Sequence, residues 1–389
     1  MTEWKEYKLG EIAEITSSKR IFYSEYVSGG VPFYRSKEII DLYNKRNVAT
    51  ELYISLERYN EIKDKFGVPQ KDDILLTSVG SLGIPYKVKD EDYFYFKDGN
   101  LTWFKDININ IIYPDYFVFW LTSCIGKQKL DEITIGSTQA ALTISGLKTV
   151  VIELPPLPEQ IRIASILSSL DDKIDLLHRE NKTLEAMAET LFRQWFIEEA
   201  KEDWKEVSLT RVANFLNGLA CQKFPPKNEI EKLPILKIRE LSNGIGDDSD
   251  YATTDVEKEY IVHAGDVIFA WSASLMVKIW DGRDCILNQH LFKVTSEKYP
   301  KWFYYFWCKH HLDEFISIAQ SHATTMGHIK RKDLENAIVL VPTSSELKTM
   351  TEQIEYLLQK IENNNKQIQT LIQQRDILLP KLMSGEVKI

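Results

Sequence analysis

IASILSSLDDKIDLLHRENKTLEAMAETLFRQW, running from Ile163 to Trp195, decides the fold of this chain. Its apolar positions step by four and three through Ile163, Leu167, Leu170, Ile174, Leu177, Asn181, Leu184, Ala188, Leu191 and Trp195. The same rhythm returns near the C-terminus as Met350, Ile354, Leu357, Ile361, Asn364, Ile368, Leu371, Arg375, Leu378 and Leu382. A stripe of this period, sustained over about four heptads or more, is the seam of a coiled coil. Pro158 at a first helical position and the Thr343 to Glu346 capping box mark where the two helices begin.

Each seam holds one asparagine, and together they set the direction of pairing. In a parallel pair Asn181 would face Ile368 and Asn364 would face Leu177, burying two amides without partners. In an antiparallel pair facing numbers sum to 545, which sets Asn181 against Asn364, Ile163 against Leu382 and Trp195 against Met350. The amides then satisfy each other and fix the register. The sequence thus predicts an antiparallel two-helix coiled coil, about 48 Å long at roughly 1.5 Å per residue.

What precedes each helix is one unit written twice. WKEYKL from Trp4 recurs as WKEVSL from Trp204, VPFYRSKEI from Val31 as LPILKIREL from Leu233, and DILLTSVGSL from Asp73 as DVIFAWSASL from Asp266. NLTWF from Asn100 matches NQHLF from Asn288, and YPDYFVFW from Tyr113 matches YPKWFYYF from Tyr299. Runs such as ILLTSV and VVIEL read as short strands between turns, and the aromatic blocks as helices packed on them. The expected fold is α+β, with two pseudo-twofold-related α/β domains separated by the coiled coil. Expected boundaries are 1–156 and 201–342 for the domains, 157–200 for the central helix and 343–389 for the C-terminal one. Two similar modules held apart by a rod suit a ruler on a polymer, and the rod's length is about 14 base pairs of duplex DNA.

Composition bounds the reading. The 389 residues, 44% hydrophobic and 27% charged, form a folded protein too long for one core. Cys124, Cys221, Cys285 and Cys308 form no C-x-x-C pair, so no disulfide framework or zinc site is expected. Cys308, His310, His311 and Asp313 continue an aromatic helix, with Cys308 facing the core; no metal is expected. MTEWKEYKLG has no apolar signal core and no run suits a membrane span, so a cytoplasmic location is expected. The net charge of −9 argues against a DNA binder until it is divided: −3 over 1–156, −4 over 157–200, −2 over 201–342 and 0 over 343–389. The deficit is densest on the central helix, and the modules are near balance.

LPPLPEQ (Leu154 to Gln160), the run SLDDKIDLLHRENKTLEAMAETLFRQWF and the tail KIENNNKQIQTLIQQRDILLPKLMSGEVKI resemble the spacer regions of the specificity subunit of type I restriction-modification enzymes. The order of module, helix, module, helix resembles that family over essentially the whole chain; the second junction, VPTSSEL from Val341, lacks its Pro-Pro and PEQ elements. The resemblance implies a non-catalytic, DNA-binding subunit that reads a bipartite target with a non-specific spacer. It implies docking to two DNA adenine methyltransferase subunits and, through them, to restriction and translocase subunits. S-adenosylmethionine, ATP and magnesium are then expected on those partners and no cofactor on this chain. The sequence agrees, having no [ND]-P-P-[YF] element and no G-x-x-x-x-G-K-[ST] loop.

Candidate DNA-binding residues fall in three polar stretches per module. In the first these are Arg35, Ser36 and Lys37; Thr77, Ser78, Gly80 and Ser81; and Ser137, Thr138 and Gln139 with Lys148, with Lys19 and Arg20 as further phosphate candidates. In the second they are Lys237 and Arg239; Trp271, Ser272 and Ser274; and His322, Thr324, Thr325, His328, Lys330 and Arg331. Asp171, Asp172, Glu180 and Glu185 read as a solvated helix face. Phe192, Phe196 and Leu379, off the seam, are candidates for docking the methyltransferase. A protein-binding scaffold with two modules on a rod is the alternative, and an enzyme ranks third.

Overall fold

The computed structural model describes residues 4–136, 140–246, 248–321, 327–387 and 389. The chain divides into two compact units, Met1–Ile174 with Thr370–Ile389, and Asp175–Gln369. Each holds one α/β module and the adjoining part of both long helices.

In the first unit the chain enters and leaves its module through one antiparallel ladder, Lys5–Lys8 against Val151–Leu154. Inside are two four-stranded sheets. One is antiparallel in the order Glu14–Thr16, Leu101–Lys105, Ile74–Thr77, Pro85–Lys87. The other runs Tyr26–Val27, Tyr53–Ile54, Val31–Tyr34, Tyr95–Phe96, and its last two strands are parallel. The block YPDYFVFW opens the helix Pro114–Thr122, with Pro114 where a first-turn proline costs no hydrogen bond. Tyr116, Phe117 and Trp120 fill the core from that helix, beside Leu9, Phe104 and Leu147.

The second unit repeats this plan. Lys205–Ser208 pairs with Ile338–Val341, and Asn214–Asn217, Leu291–Thr295, Val267–Ala270 and Met276–Ile279 form the antiparallel sheet. The second sheet differs at its edges. Its order is Tyr251–Thr253, Lys232–Leu236, Cys285–Leu287, Ile261–Val262, so the fourth strand is added beside Cys285–Leu287, whereas the first unit adds Tyr26–Val27 at the opposite edge. YPKWFYYF leads into the helix Lys301–His310, in which Trp302 to Cys308 are all buried. The sheet register also shifts one repeat match: Leu101 pairs with Thr77 as Leu291 pairs with Ala270, so the counterpart of Asn100 is His290, not Asn288.

The long helices are Leu157–Arg193 and Ser344–Met383. In both units they pair antiparallel, as the seam requires. In the first, Ile163, Leu167 and Leu382 share a core and Arg375 reaches Asp171 at 3.1 Å. In the second, Asn364 Nδ2 donates to Asn181 Oδ1 at 2.9 Å and Asn181 Nδ2 to Asn365 Oδ1 at 2.6 Å. Asn364 is buried, and its Nδ2 donates a second bond to Glu180 at 3.1 Å.

Two junctions tie helices to modules. Gln160, buried at the end of LPPLPEQ, accepts from the Tyr113 N–H and donates to the Ile111 and Pro155 carbonyls, all at 2.9 Å. At VPTSSEL a glutamate does comparable work. Glu346 closes the capping box with Thr343 and accepts from Trp204 Nε1 at 3.1 Å and Lys201 Nζ at 2.5 Å.

The aromatic residues off the seam are corrected by the structure. Phe192 and Phe196 are 3% and 1% exposed, inside the core of the second unit. Phe192 meets Trp307 edge-on at 5.2 Å, while a π turn over Gln194–Glu198 carries Phe196 onto Trp204 and Phe303. Leu379 is partly buried against the first core. Phe192 and Phe196 therefore hold the module to its helix and offer no surface to a partner. Nor is the acidic face simply solvated. Glu185 accepts from the Tyr305 hydroxyl at 2.5 Å and pairs with Lys309 at 3.0 Å.

Candidate nucleic-acid interface

In each module the second polar stretch, at one end of the antiparallel sheet, meets a second segment, 141–142 in the first module and 327–329 in the second. Strand Ile74–Thr77 runs into a loop whose Ser78 carbonyl accepts from the Leu142 N–H at 2.9 Å, and Val79 bridges to Ala141. Strand Val267–Ala270 runs into a loop whose Trp271 carbonyl accepts from the Ile329 N–H at 3.1 Å, and Ser272 bridges to His328. The loop after this strand is thus laced to a second segment by backbone hydrogen bonds in the same way twice.

The loops share a backbone feature. Gly80 has φ +81° and its counterpart Ala273 has φ +56°. A left-handed residue here turns the chain back toward the partner segment, and Ala273 is held there by its N–H bond to the Gly327 carbonyl at 2.9 Å. Gly80 and Ser81 are exposed in the first module, as are Ala273, Ser274, His328, Lys330 and Arg331 in the second.

Several predicted contacts are corrected. Thr77 and Ser78 are 0% and 2% exposed: Thr77 ends the buried strand, and Ser78, the first loop residue, is turned inward against Thr102. Thr77 Oγ1 accepts from the Ile84 N–H at 2.9 Å, and Ser78 Oγ bonds Thr102 Oγ1 at 2.6 Å. Ser272 is buried against His290 Nδ1 at 3.1 Å, and the Ser36 hydroxyl is buried as well. None of these four side chains presents a donor to solvent. Ser137, Thr138, Gln139, His322, Thr324 and Thr325 lie outside the described residues.

Lys37, Lys148, Lys19 and Arg20 are exposed. The Lys19 ammonium sits over the Phe66 ring at 4.5 Å, and Arg20 pairs with Asp98 at 2.9 Å. Arg35 is held by Glu38, Lys237 pairs with Asp250, and Arg239 pairs with Glu240 and Asp248. Half-buried Trp271 is gripped from several sides. Its indole N–H donates to Asn217 Oδ1 at 3.1 Å, Phe292 stacks on it at 5.6 Å, and His290 and His328 flank it at 6.0 and 6.3 Å. His290 and Asn217 were missed by sequence reasoning; the polar string NQH, set in a run of strand residues, was the available signal for His290.

Among the described residues no group of three or more His, Cys, Asp or Glu side chains is placed to hold a metal ion. Cys308 is buried, which pushes its thiol far above the usual range, and His311 is bonded to the Ile338 carbonyl at 2.8 Å and to Glu314 at 3.2 Å. No helix among the described residues is long and apolar enough to cross a membrane.

The duplicated module, the coiled coil and the paired polar loops together define a two-module recognition protein. The chain belongs to the type I restriction modification DNA specificity domain family, whose profile matches residues 1–186 and 201–374. It is 28% identical to the type I restriction enzyme MjaIX specificity subunit of Methanocaldococcus jannaschii, over all of this chain and 97% of that one. A segment covering 43% of this chain is 32% identical to the putative type I restriction enzyme specificity subunit S.HindORF215P of Haemophilus influenzae, covering 40% of that protein. The fold is that of the crystal structure of the type I restriction-modification S subunit from M. genitalium, with a TM-score of 0.55 at 15% identity, covering 98% of this chain and 96% of that one. The chain is thus a DNA-recognition subunit of a type I restriction-modification system and not its catalyst.

Proposed function

We propose that each module reads one half of a bipartite duplex target, ignoring the bases between, and that the chain docks two adenine methyltransferase subunits and through them restriction and translocase subunits. The observation behind this reading is the repetition itself: the same loop, with the same left-handed residue and the same backbone bond to a second segment, appears once per module. Their exposed Ser81, Ser274, Lys330 and Arg331 are the types that read base edges and grip phosphates. The modules carry net charges of −3 and −2, so the isolated chain is expected to bind DNA weakly and in a salt-sensitive way. Much of the phosphate grip then falls to the partners. S-adenosylmethionine is assigned to the methyltransferases, and ATP and magnesium to the restriction subunits.

The test is sequencing of modified adenines in cells that carry the chain with its methyltransferase. Two defined half-sites at fixed spacing are expected. Methylation without them would return the chain to the scaffold reading, in which its modules bind proteins.

A further inference from the structure

The matched strings VPFYRSKEI and LPILKIREL share more than strand pattern. Each contains a cation, any residue, a second cation and a glutamate, as Arg35-Ser36-Lys37-Glu38 and Lys237-Ile238-Arg239-Glu240. In both modules this tetrapeptide leaves an interior strand of the second sheet and enters a short helix. In both the glutamate is 1% exposed, a state that carboxylates rarely adopt without a partner. In both the partner is an arginine of the same tetrapeptide. Glu38 Oε1 accepts from Arg35 Nη2 at 2.9 Å, and Glu240 Oε1 accepts from Arg239 Nε and Nη2 at 2.9 and 2.6 Å. The arginines themselves stay accessible, with side chains 44% and 51% exposed.

Helix capping accounts for only one of the two. Glu38 Oε2 also accepts from the Arg35 N–H at 2.8 Å, closing a first turn. Glu240 uses Oε1 for Arg239 and for Ser249 Oγ at 3.3 Å, while its Oε2 is buried without a hydrogen bond among the described residues. What recurs is the grip on an arginine, and it recurs although the arginine stands three residues before one glutamate and one before the other. Burial raises the Glu38 carboxyl, but hydrogen bonds from Arg35 outweigh it and hold the group ionised below its ordinary range.

We propose that Glu38 and Glu240 are positioning residues that fix the guanidinium planes of Arg35 and Arg239 for bidentate readout of the N7 and O6 acceptors of a guanine. The inference rests on the recognition function argued above. A guanidinium carries five donors in a planar fork, so a carboxylate on one side aims the other. A fixed plane matches a base edge, whereas a phosphate accepts from many directions and needs no such aim. The acids now facing the cations from the neighbouring loop, Asp248 on Arg239 and Asp250 on Lys237, are 77% and 65% exposed and their pairs are of little strength; Arg239 Nη2 also donates to the Asp248 carbonyl at 3.0 Å, so DNA must displace that loop contact as well.

The test compares methylation targets of complexes assembled with the wild-type chain, E38Q, E240Q, R35K and R239K. E38Q and R35K are expected to relax one base pair of one half-site by about tenfold or more, since lysine keeps the charge but not the fork. E240Q and R239K are expected to relax one base pair of the other half-site. Unchanged targets in all four variants would overturn the inference. So would a uniform loss over all sequences with a shallower salt dependence, the mark of a phosphate contact. Where a glutamate variant fails to fold, the arginine variants at their half-exposed positions decide the matter. A wild-type complex with no defined target would instead overturn the recognition function itself.

Discussion

Asn364 donates its side-chain amide to the Asn181 oxygen at 2.9 Å, across two helices that meet head to tail. One residue from each seam supplies the polar layer, and numbering alone located it. Removing Asn364 takes the donor from the Asn181 oxygen within the seam, while Asn181 Nδ2 keeps its bond to Asn365. Asn364→Leu is therefore expected to destabilise the chain by about 1–3 kcal/mol in urea unfolding. Adding Asn181→Leu should recover much of that loss, as two facing leucines satisfy each other. Simple additivity of the two substitutions would show that the amides do not act as a pair.

Phe196 tests the corrected role of the aromatics. It is 1% exposed against Trp204, Phe303 and Trp307. Truncation to alanine leaves a large cavity, and Phe196→Ala should cost about 3–5 kcal/mol. The loss should appear in thermal unfolding of the chain by itself. Unchanged stability with weakened methyltransferase binding would restore the docking role.

Two carboxyls respond to pH in opposite directions. Lys201, Thr343 and Trp204 bond Glu346 and hold its carboxyl down to about 2, against an ordinary 4.5. Its folded value is depressed, so its contribution is complete above about 4.5 and fades as pH falls toward 2. Burial pushes Asp73 the other way, up to about 6 from 3.8. Raised above its unfolded value, Asp73 favours the fold in acid and opposes it once pH has risen through about 6. Its Oδ2 accepts from Trp103 Nε1 and the Gln70 N–H, each at 2.8 Å, and an asparagine oxygen can replace it. Unfolding midpoints from pH 3 to 8 should show Glu346→Gln losing its deficit in acid and Asp73→Asn gaining on wild type as pH rises. Parallel curves would contradict both.

Gly80 separates conformation from space. A methyl group added there meets nothing within 4 Å, so Gly80→Ala is charged only for left-handed backbone, about 1–2 kcal/mol. A β-branched valine should do worse. Ala273 already stands in that conformation, so Ala273→Gly should gain stability less than Gly80→Ala loses it, because the freer unfolded chain offsets part of the relief. Equal and negligible effects at both sites would show that the loops do not hold their turn.

Legibility followed how local the physics was. The coiled coil was readable because a period of 3.5 and one asparagine in each seam need no knowledge of the modules. The repeat was readable for the same reason, and Glu38 and Glu240 stand at matching places within its strings. What surrounds a residue in space was not readable. Thr77 and Ser78 look like loop donors beside Gly80, but Thr77 still belongs to the buried strand and Ser78 turns inward to Thr102. Phe192 and Phe196 leave the heptad as a docking face would, and nothing in their own helix reveals that Trp307 and Phe303 wait opposite. The matched asparagines of NLTWF and NQHLF give a register two residues off, since identity of one letter cannot outvote a ladder of backbone bonds.

The ladder of Lys5–Lys8 with Val151–Leu154, and of Lys205–Ser208 with Ile338–Val341, sets the entry and exit of each module side by side. A segment bounded in this way is a cassette. It can be exchanged through two neighbouring cuts in the chain while the helices that follow keep their own seam. On the proposed reading, new sequence preferences arise by transplanting whole modules as well as by altering their loops one residue at a time.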